Sequence, residues 1–169
     1  MKLKTRDIVY IGFIAALCAV ATTIRIEIPG GAMVHLGSAA LFTTSILFGG
    51  LYGGLGAAIG SALFDLFGGH TQYIVFSFFI KGIAGLIVGG MTAGYLPPSI
   101  NKPTASFSRI LVALIIGAIW TAFGYFIAWW FVLNSAAVAA SKIQYSLITS
   151  AAGIIVAIVL TPKLQKVVR

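Results

Sequence analysis

Long apolar runs, separated by short polar or glycine-rich turns, cover most of the 169-residue chain. Read against the turn signals, they predict six helices at about residues 8–24, 36–48, 51–67, 71–95, 110–133 and 142–160, the last ending before Pro162. Strands are not expected, because polar and apolar residues do not alternate. A helix needs about 20 apolar residues to cross a bilayer. The pattern therefore predicts an all-α integral membrane protein, with six transmembrane helices in one bundle and one domain over residues 1–169.

Composition supports a membrane protein. The chain is 60% hydrophobic and 8% charged, whereas soluble domains have roughly a quarter of their residues charged. Its net charge of +8 does not indicate a nucleic-acid partner, because the basic residues lie mostly at the termini and in one loop. The basic, apolar start also resembles a signal peptide, but the run over residues 8–24 is long enough to favour a retained first span. Cys18 is the only cysteine, so an intrachain disulfide is excluded.

The distribution of Lys and Arg predicts the orientation. With six spans both termini share one side, and Arg25 and Lys142 lie on the other side. The side of the termini collects eight basic residues, namely Lys2, Lys4, Arg6, Lys102, Arg109, Lys163, Lys166 and Arg169. Cytoplasmic loops are enriched in Lys and Arg. The chain is therefore expected to be a multi-pass cell-membrane protein with both termini in the cytoplasm.

Two charges interrupt the apolar third and fourth runs. Asp65 closes a stripe of small residues at four-residue steps, Gly53, Ala57 and Ser61, so this face must point into the bundle. Lys81 lies about ten residues into the fourth helix, near mid-membrane, where a lysine costs about 2.5–3.5 kcal/mol. The two could form an ion pair that locks two helices, but their predicted depths differ. Contact with a ligand is therefore the favoured interpretation.

More polar and aromatic side chains gather at the predicted outer end of the helices. They are His35, His70, Gln72, Tyr73, Tyr125, Trp129, Trp130, Asn134, Lys142, Gln144 and Tyr145. The aromatic residues are also typical of an interfacial belt, and at most one of Trp129 and Trp130 is expected to face inward, since neighbours on a helix point about 100° apart. Together with Asp65 and Lys81, the cluster predicts an outward-facing pocket for a small polar ring compound.

Motifs for chemistry are missing from the sequence. It contains no phosphate-binding loop, no H-E-x-x-H and no G-x-S-x-G, so no hydrolytic activity can be assigned. Two histidines do not make a metal site. The chain is therefore predicted not to be an enzyme, and no cofactor or metal is expected.

Three segments carry a resemblance to a known family. The stretches "KTRDIVYIGFIAALCAVAT", "VHLGSAALFTTSILFGGLYGGLGAAIGSALFDLFGG" and "FIKGIAGLIVG" resemble the substrate-binding S component of an energy-coupling factor (ECF) vitamin transporter. Within that family they are similar to the branch for riboflavin-like, hydroxymethylpyrimidine and pyridoxine uptake. The resemblance covers roughly the first 95 residues. The last two helices match only as further spans.

The resemblance implies a six-helix protein that binds a vitamin or vitamin precursor at its outer face and has no ATPase activity. It also implies partners, a transmembrane coupling protein (the T component) and two cytoplasmic ATPases, with an A-x-x-x-A element of the first helix, here Ala15 and Ala19, in the docking contact. From position and chemistry, the residues expected to bind substrate are His35, Asp65, His70, Tyr73, Lys81, Trp129, Asn134 and Tyr145. Pyridoxine or hydroxymethylpyrimidine is the expected substrate, because each offers polar edges and a stacking face. The alternatives are a stand-alone secondary transporter or channel, and a membrane enzyme.

Overall fold

A computed structural model describes residues 4–28, 32–95 and 105–168, and within these ranges the chain is almost entirely helical. Six α-helices, one short hairpin and one 3₁₀ turn (Thr71–Tyr73) follow one another. In chain order the helices and strands are α1 (Thr5–Thr23), β1 (Arg25–Ile28), β2 (Ala32–His35), α2 (Gly37–Phe48), α3 (Gly50–Phe67), α4 (Ile74–Thr92), α5 (Phe107–Leu133) and α6 (Ala136–Val168). Lys2, Lys102 and Arg169, which were used to predict orientation, lie outside the described residues.

Five of the six helices in the described ranges are long and apolar enough to cross a membrane. The exception is α2, whose 12 residues give a length of only about 18 Å. It contacts α1, α3, α4 and α6, and most of its side chains are buried. The bundle is thus built around α2 as a short central helix.

Glycines allow the backbones around α3 to approach closely. Gly49 alone separates α2 from α3 and has φ of 85°, a left-handed conformation that strains other residues. Gly54 and Gly50 of α3 face Gly85 and Gly89 of α4, where a Cβ atom would collide with backbone atoms of the other helix. Such small-residue contacts drive helix packing in a bilayer, since van der Waals contact replaces the hydrophobic effect there.

The first helix packs against α3 in the same way. A side chain at Gly60 would collide with the backbone of Ala15, and Ala15 is only 3% exposed. Ala19 is half-buried. Ala15 thus contributes to packing within the chain, which bears on its predicted role in partner docking.

The connection between α1 and α2 is a two-stranded antiparallel hairpin, in which Arg25 is opposite His35. The expectation of no strands was wrong at this point. The strands are short: Arg25–Ile28 alternates polar and apolar residues, but an alternation over four residues is too brief to indicate a strand in a chain of long apolar runs. The base of the hairpin is closed by a backbone hydrogen bond, in which the N–H of Leu36, just before α2, donates to the carbonyl of Ile24, just after α1, at 3.2 Å.

The predicted bounds of the sixth helix were wrong at both ends. It begins at Ala136 instead of Lys142, because the segment after Ser135 is rich in alanine, the strongest helix former, and the Ser135 hydroxyl accepts from the Val138 N–H at 3.3 Å. It continues through Pro162 to Val168. A proline removes one backbone hydrogen bond, a loss that membrane helices tolerate.

Candidate functional site

A cavity lies at the end of the bundle that carries the hairpin, and every helix contributes to it. Its empty volume is about 750 Å³, including the opening to solvent. The lining residues are Thr22, Met33, His35, Ser38, Ser61, Phe64, Asp65, His70, Tyr73, Ser77, Lys81, Thr121, Tyr125, Trp129, Ser146, Thr149 and Ser150. Most of these residues carry a polar group, so the cavity brings hydrogen-bonding groups together inside an apolar bundle.

Lys81 is held in the cavity by two other helices. Its side chain is 3% exposed, and Nζ donates to the Ser38 hydroxyl of α2 at 3.1 Å. Nζ also lies 5.4 Å from the centre of the Tyr125 ring, within the range of a cation–π contact. The Tyr125 hydroxyl is in turn 3.0 Å from the Ser77 hydroxyl. Neutral groups thus fix the position of the ammonium.

Asp65 has an unused acceptor atom. Its side chain is 7% exposed, and Oδ2 is buried without a hydrogen-bond partner among the described residues. Asp65 and Lys81 line the same cavity. Within the described ranges they form no salt bridge with each other, unlike Arg25 and Glu27, which are paired at 2.8 Å. The interpretation of the two as a helix-locking pair is therefore excluded.

The two histidines differ in their contacts. The Gly37 N–H donates to Nδ1 of His35 at 3.1 Å, which places the proton of the neutral ring on Nε2. Burial lowers the pKa of His35 to about 3, and the charges of Lys81 and Arg25 act in the same direction. His35 is therefore neutral at physiological pH. His70 lies beside the Phe64 ring, and its Nε2 is buried with no partner in the described part of the chain.

The aromatic residues divide between the cavity and the outer surface. Trp129 lines the cavity and lies 5.6 Å from Tyr125 between ring centres, whereas Trp130 is 52% exposed. This answers the question of which tryptophan faces inward. Tyr73 also lines the cavity at its 3₁₀ turn.

Two predicted site residues lie outside the cavity lining. Asn134 is exposed and terminates α5 with φ of 51°, a left-handed position that asparagine adopts readily. Tyr145 is half-buried on α6 but does not line the cavity. Their position at the outer end of a helix was the basis of the prediction, and it did not distinguish them from residues that line the cavity.

Apart from Ser61, the serine and threonine residues of the cavity were not predicted from the sequence. On α6 they are Ser146, Thr149 and Ser150, whose spacing of three and four residues places them on one helical face. That spacing was the available signal. The Thr149 hydroxyl donates to the Met33 carbonyl at 3.4 Å, while the Ser150 hydroxyl is buried without a partner within the described ranges.

The cavity is suited to recognition of a small polar molecule. It offers charged and neutral hydrogen-bonding groups and aromatic faces, the usual composition of a selective ligand site. In residues 4–28, 32–95 and 105–168, no group of three or more His, Cys, Asp or Glu side chains is arranged to hold a metal ion.

Comparisons with known proteins agree with this architecture. A protein-family model described as "ECF-type riboflavin transporter, S component" matches residues 2–166. A protein of Pyrococcus woesei, described as "Uncharacterized protein in gap 3'region", is 29% identical over 142 residues, which are 83% of this chain and 88% of that protein. A solved structure described as "Structure and mechanism of the S component of a bacterial ECF transporter" covers 99% of both chains, with a TM-score of 0.69 and 21% identity. At that identity the structural likeness concerns the fold.

Proposed function

The chain belongs to the family of ECF-type riboflavin transporter S components, and from this premise we propose that it binds one vitamin-like molecule in the cavity at the hairpin end. Members of this family are membrane proteins and substrate-binding subunits, not enzymes, and they work with a T component and ATPases. The proposed ligand-binding residues are Asp65, Lys81, His35, His70, Tyr73 and Trp129.

One observation carries the proposal: two buried charges line one cavity without neutralising each other through a salt bridge. Asp65 keeps an unpartnered carboxylate oxygen, and Lys81 donates to a neutral hydroxyl. A buried polar group without a partner costs about 1–3 kcal/mol, and more when it is charged. A ligand that donates to Asp65 and accepts from Lys81 removes this cost when it binds.

The proposed substrate is a heteroaromatic ring compound. Pyridoxine and hydroxymethylpyrimidine each provide hydroxyl or amino donors for Asp65, acceptors for Lys81 and a flat face that can stack on Trp129 or Tyr73. Riboflavin, the compound in the family's description, also combines donors and acceptors along one edge of its ring system. We rank the two smaller rings first and test all three compounds together.

The proposed orientation places the cavity toward the outside and both termini in the cytoplasm, with two cytoplasmic ATPases acting through the T component. For docking on the T component, the buried position of Ala15 favours another face of α1. Gly12 and Ala16 lie four residues apart and are both exposed. Small residues at this spacing let helix backbones approach closely, so we propose that this face, with Ala19 at its edge, contacts the T component.

The test begins with the molecule that the protein retains. The full chain is purified in mild detergent, the bound small molecules are identified by mass spectrometry, and riboflavin, pyridoxine and hydroxymethylpyrimidine are titrated calorimetrically. We expect one of the three to bind tightly. A protein that retains nothing and binds none of them would contradict the proposal.

Uptake measurements distinguish the alternative of a stand-alone transporter. In cells that lack every ECF module, the chain should bind its substrate without net transport, and coexpression of a T component with ATPases should restore uptake. Uptake by the chain alone would favour a self-sufficient transporter or channel.

A further inference from the structure

An apolar groove lies between the first turn of α5 and the last turns of α6, at the opposite end of the bundle from the cavity. We call it the α5–α6 groove. Helix α5 contributes Phe107 and Ile110 to its wall, and α6 contributes Ala157, Ile158 and Pro162. The empty volume is about 570 Å³, including the open side. A groove with such a wall on the surface of two membrane-spanning helices is suited to an acyl chain.

One polar side chain of the α5–α6 groove has no partner. Thr161 lines the groove and is 3% exposed, and its Oγ1 is buried without a hydrogen bond to any described residue. Threonines in membrane helices commonly donate to a carbonyl of their own helix, as Thr121 does to Gly117 at 2.8 Å. A buried hydroxyl that makes no such bond destabilises the protein, so an occupant of the groove that accepts from Thr161 removes this cost.

Positive charge surrounds the mouth of the groove. Lys166 lies four residues after Pro162, so the two residues share one face of α6, and its side chain is exposed. Arg109 lies in the first turn of α5, where the positive end of the helix dipole adds to its charge. Neither helix contains an acidic residue. Asp7, the acidic residue at this end of the chain, accepts from the Tyr52 hydroxyl on another helix.

We propose that the α5–α6 groove binds an anionic phospholipid, with one acyl chain along the apolar wall and the phosphate beside Lys166 and Arg109. Basic pockets between transmembrane helices hold anionic headgroups in this manner. Thr161 precedes Lys166 by five residues, which places it about 7.5 Å closer to the centre of the bilayer. The ester carbonyls of a phospholipid lie below its phosphate in the same order, and the Thr161 hydroxyl donates to one of them.

A second apolar groove shows why the charge of the lipid matters. It lies between α1 and α3 at the hairpin end, and its wall includes Val20 and Phe67. The cation at its mouth is Arg25, which is paired with Glu27 at 2.8 Å, so the carboxylate offsets its charge. Because Lys166 and Arg109 have no acidic residue on their own helices, the α5–α6 groove is the one that favours an anionic headgroup.

Lipid titration followed by native mass spectrometry tests the inference on the full-length protein in a neutral detergent. The probes are phosphatidylglycerol and phosphatidylcholine with identical acyl chains. Phosphatidylglycerol should bind one to one and at least tenfold more tightly than phosphatidylcholine, and the preference should shrink when salt is raised from about 0.1 to 0.5 M. Equal affinities, or no bound lipid, would overturn the inference. A lipid-free dimer would assign the groove to a second copy of the chain and overturn it as well.

Two charge variants locate the headgroup. Lys166→Gln should weaken binding of phosphatidylglycerol about fivefold and leave phosphatidylcholine within twofold. Lys163→Gln is the matched control, because it removes the same charge from α6 but projects about 160° away from Thr161, and it should change neither affinity more than twofold. Equal losses in the two variants would show that the lipid responds only to net charge, which would overturn the assignment to this groove.

A third variant tests the hydroxyl. Thr161→Val keeps the shape of the side chain, so binding of phosphatidylglycerol should weaken about threefold while the thermal midpoint of the lipid-free protein does not fall. Unchanged affinity would overturn the placement of the lipid along Thr161. The vitamin titration of all three variants should match that of the unmodified protein, since the groove and the cavity lie at opposite ends. Failure of the proposed function would therefore leave this inference standing, and the reverse also holds.

Discussion

Two buried aspartates lie at opposite ends of the bundle, and their surroundings differ. Asp7, near the start of α1, is 8% exposed and uses both carboxylate oxygens: one accepts from the Tyr52 hydroxyl at 2.6 Å and the other from the Lys4 backbone N–H at 2.8 Å. Asp65 is equally buried, yet its Oδ2 has no partner among the residues described. The exposed fraction of the side chain therefore does not distinguish the two sites. The completeness of the hydrogen bonding does.

The end that contains Asp7 is arranged for packing. The Tyr10 ring is stacked on the ring of Tyr52 with 6.0 Å between their centres, and the Tyr52 hydroxyl joins α3 to the start of α1 through Asp7. At the other end, the fold leaves acceptors and hydroxyls free around a cavity. A buried charged group without a partner costs more than a neutral hydroxyl, so Asp65 destabilises the empty protein at the end where the ligand is proposed to bind.

The largest expected effect comes from the second charged group of the cavity. Lys81→Met keeps most of the side-chain volume but removes every donor, so ligand affinity should fall about 100-fold, since hydrogen bonds to charged groups contribute roughly 1.5–3 kcal/mol each. Calorimetric titration with the retained vitamin measures this effect. Lys163→Met, on an exposed part of α6, is the control and should bind normally. Normal binding by Lys81→Met would contradict the proposal that the ligand binds at Lys81 in the cavity.

The direct test of the comparison exchanges each aspartate for its amide. Asp65→Asn should weaken binding of the free vitamin about tenfold and leave the thermal midpoint of the empty protein unchanged or higher, because an unpaired buried charge is removed. Asp7→Asn should do the reverse, lowering the free energy of unfolding by about 1–2 kcal/mol with binding changed less than twofold. Thermal unfolding and titration of both variants are needed. Equal loss of stability in the two variants would contradict the distinction.

A smaller effect is expected from the tryptophan pair. Trp129→Leu removes a ring from the cavity and should weaken binding about fivefold, in line with the roughly 0.5–1.5 kcal/mol of an aromatic pair. Trp130→Leu alters an exposed ring and should leave affinity unchanged. If the two variants bind equally well, the ligand does not stack on Trp129.

The smallest effect tests a single hydroxyl. Ser150→Ala should weaken binding about threefold, the effect of losing one neutral hydrogen bond, without lowering the stability of the empty protein. Thr161→Val is the matched control, since its Oγ1 is also buried without a partner in the described ranges but lies outside the cavity. Unchanged affinity in Ser150→Ala would exclude this hydroxyl from ligand contact.

Much of the fold could be predicted from hydrophobicity, because a long apolar run in a membrane protein predicts both the presence of a helix and its approximate bounds. Helices α2 and α3 were located to within about one residue, since Gly49 interrupts the pattern between them. The predicted end of α6 at Pro162 was wrong, because a proline that ends a soluble helix can lie inside a membrane helix. The hairpin was missed because four-residue strands give a weak signal. The predicted relation to ECF S components is confirmed by the family match over residues 2–166.

The site residues that could be predicted are the charged ones, because a charged side chain inside a membrane costs free energy. Asp65 and Lys81 stand out in apolar helices, and the cavity contains both. Asn134 and Tyr145 could not be separated from lining residues, because polar residues are also ordinary at helix ends. Burying serine or threonine costs little free energy when the hydroxyl donates to a carbonyl of its own helix, as Thr121 does to Gly117 at 2.8 Å. A single serine or threonine in an apolar helix therefore does not indicate a ligand site.

The hydroxyl face of α6 has a consequence for how such a protein evolves. Ser150 contributes no hydrogen bond to the scaffold, so mutations there change the chemistry presented to a solute at little cost to folding. Gly54 and Gly85, in contrast, tolerate almost no replacement, because any side chain would meet the backbone of the opposing helix. Selection for a different nutrient can therefore act on one helix face while the glycine contacts that assemble the bundle are inherited unchanged.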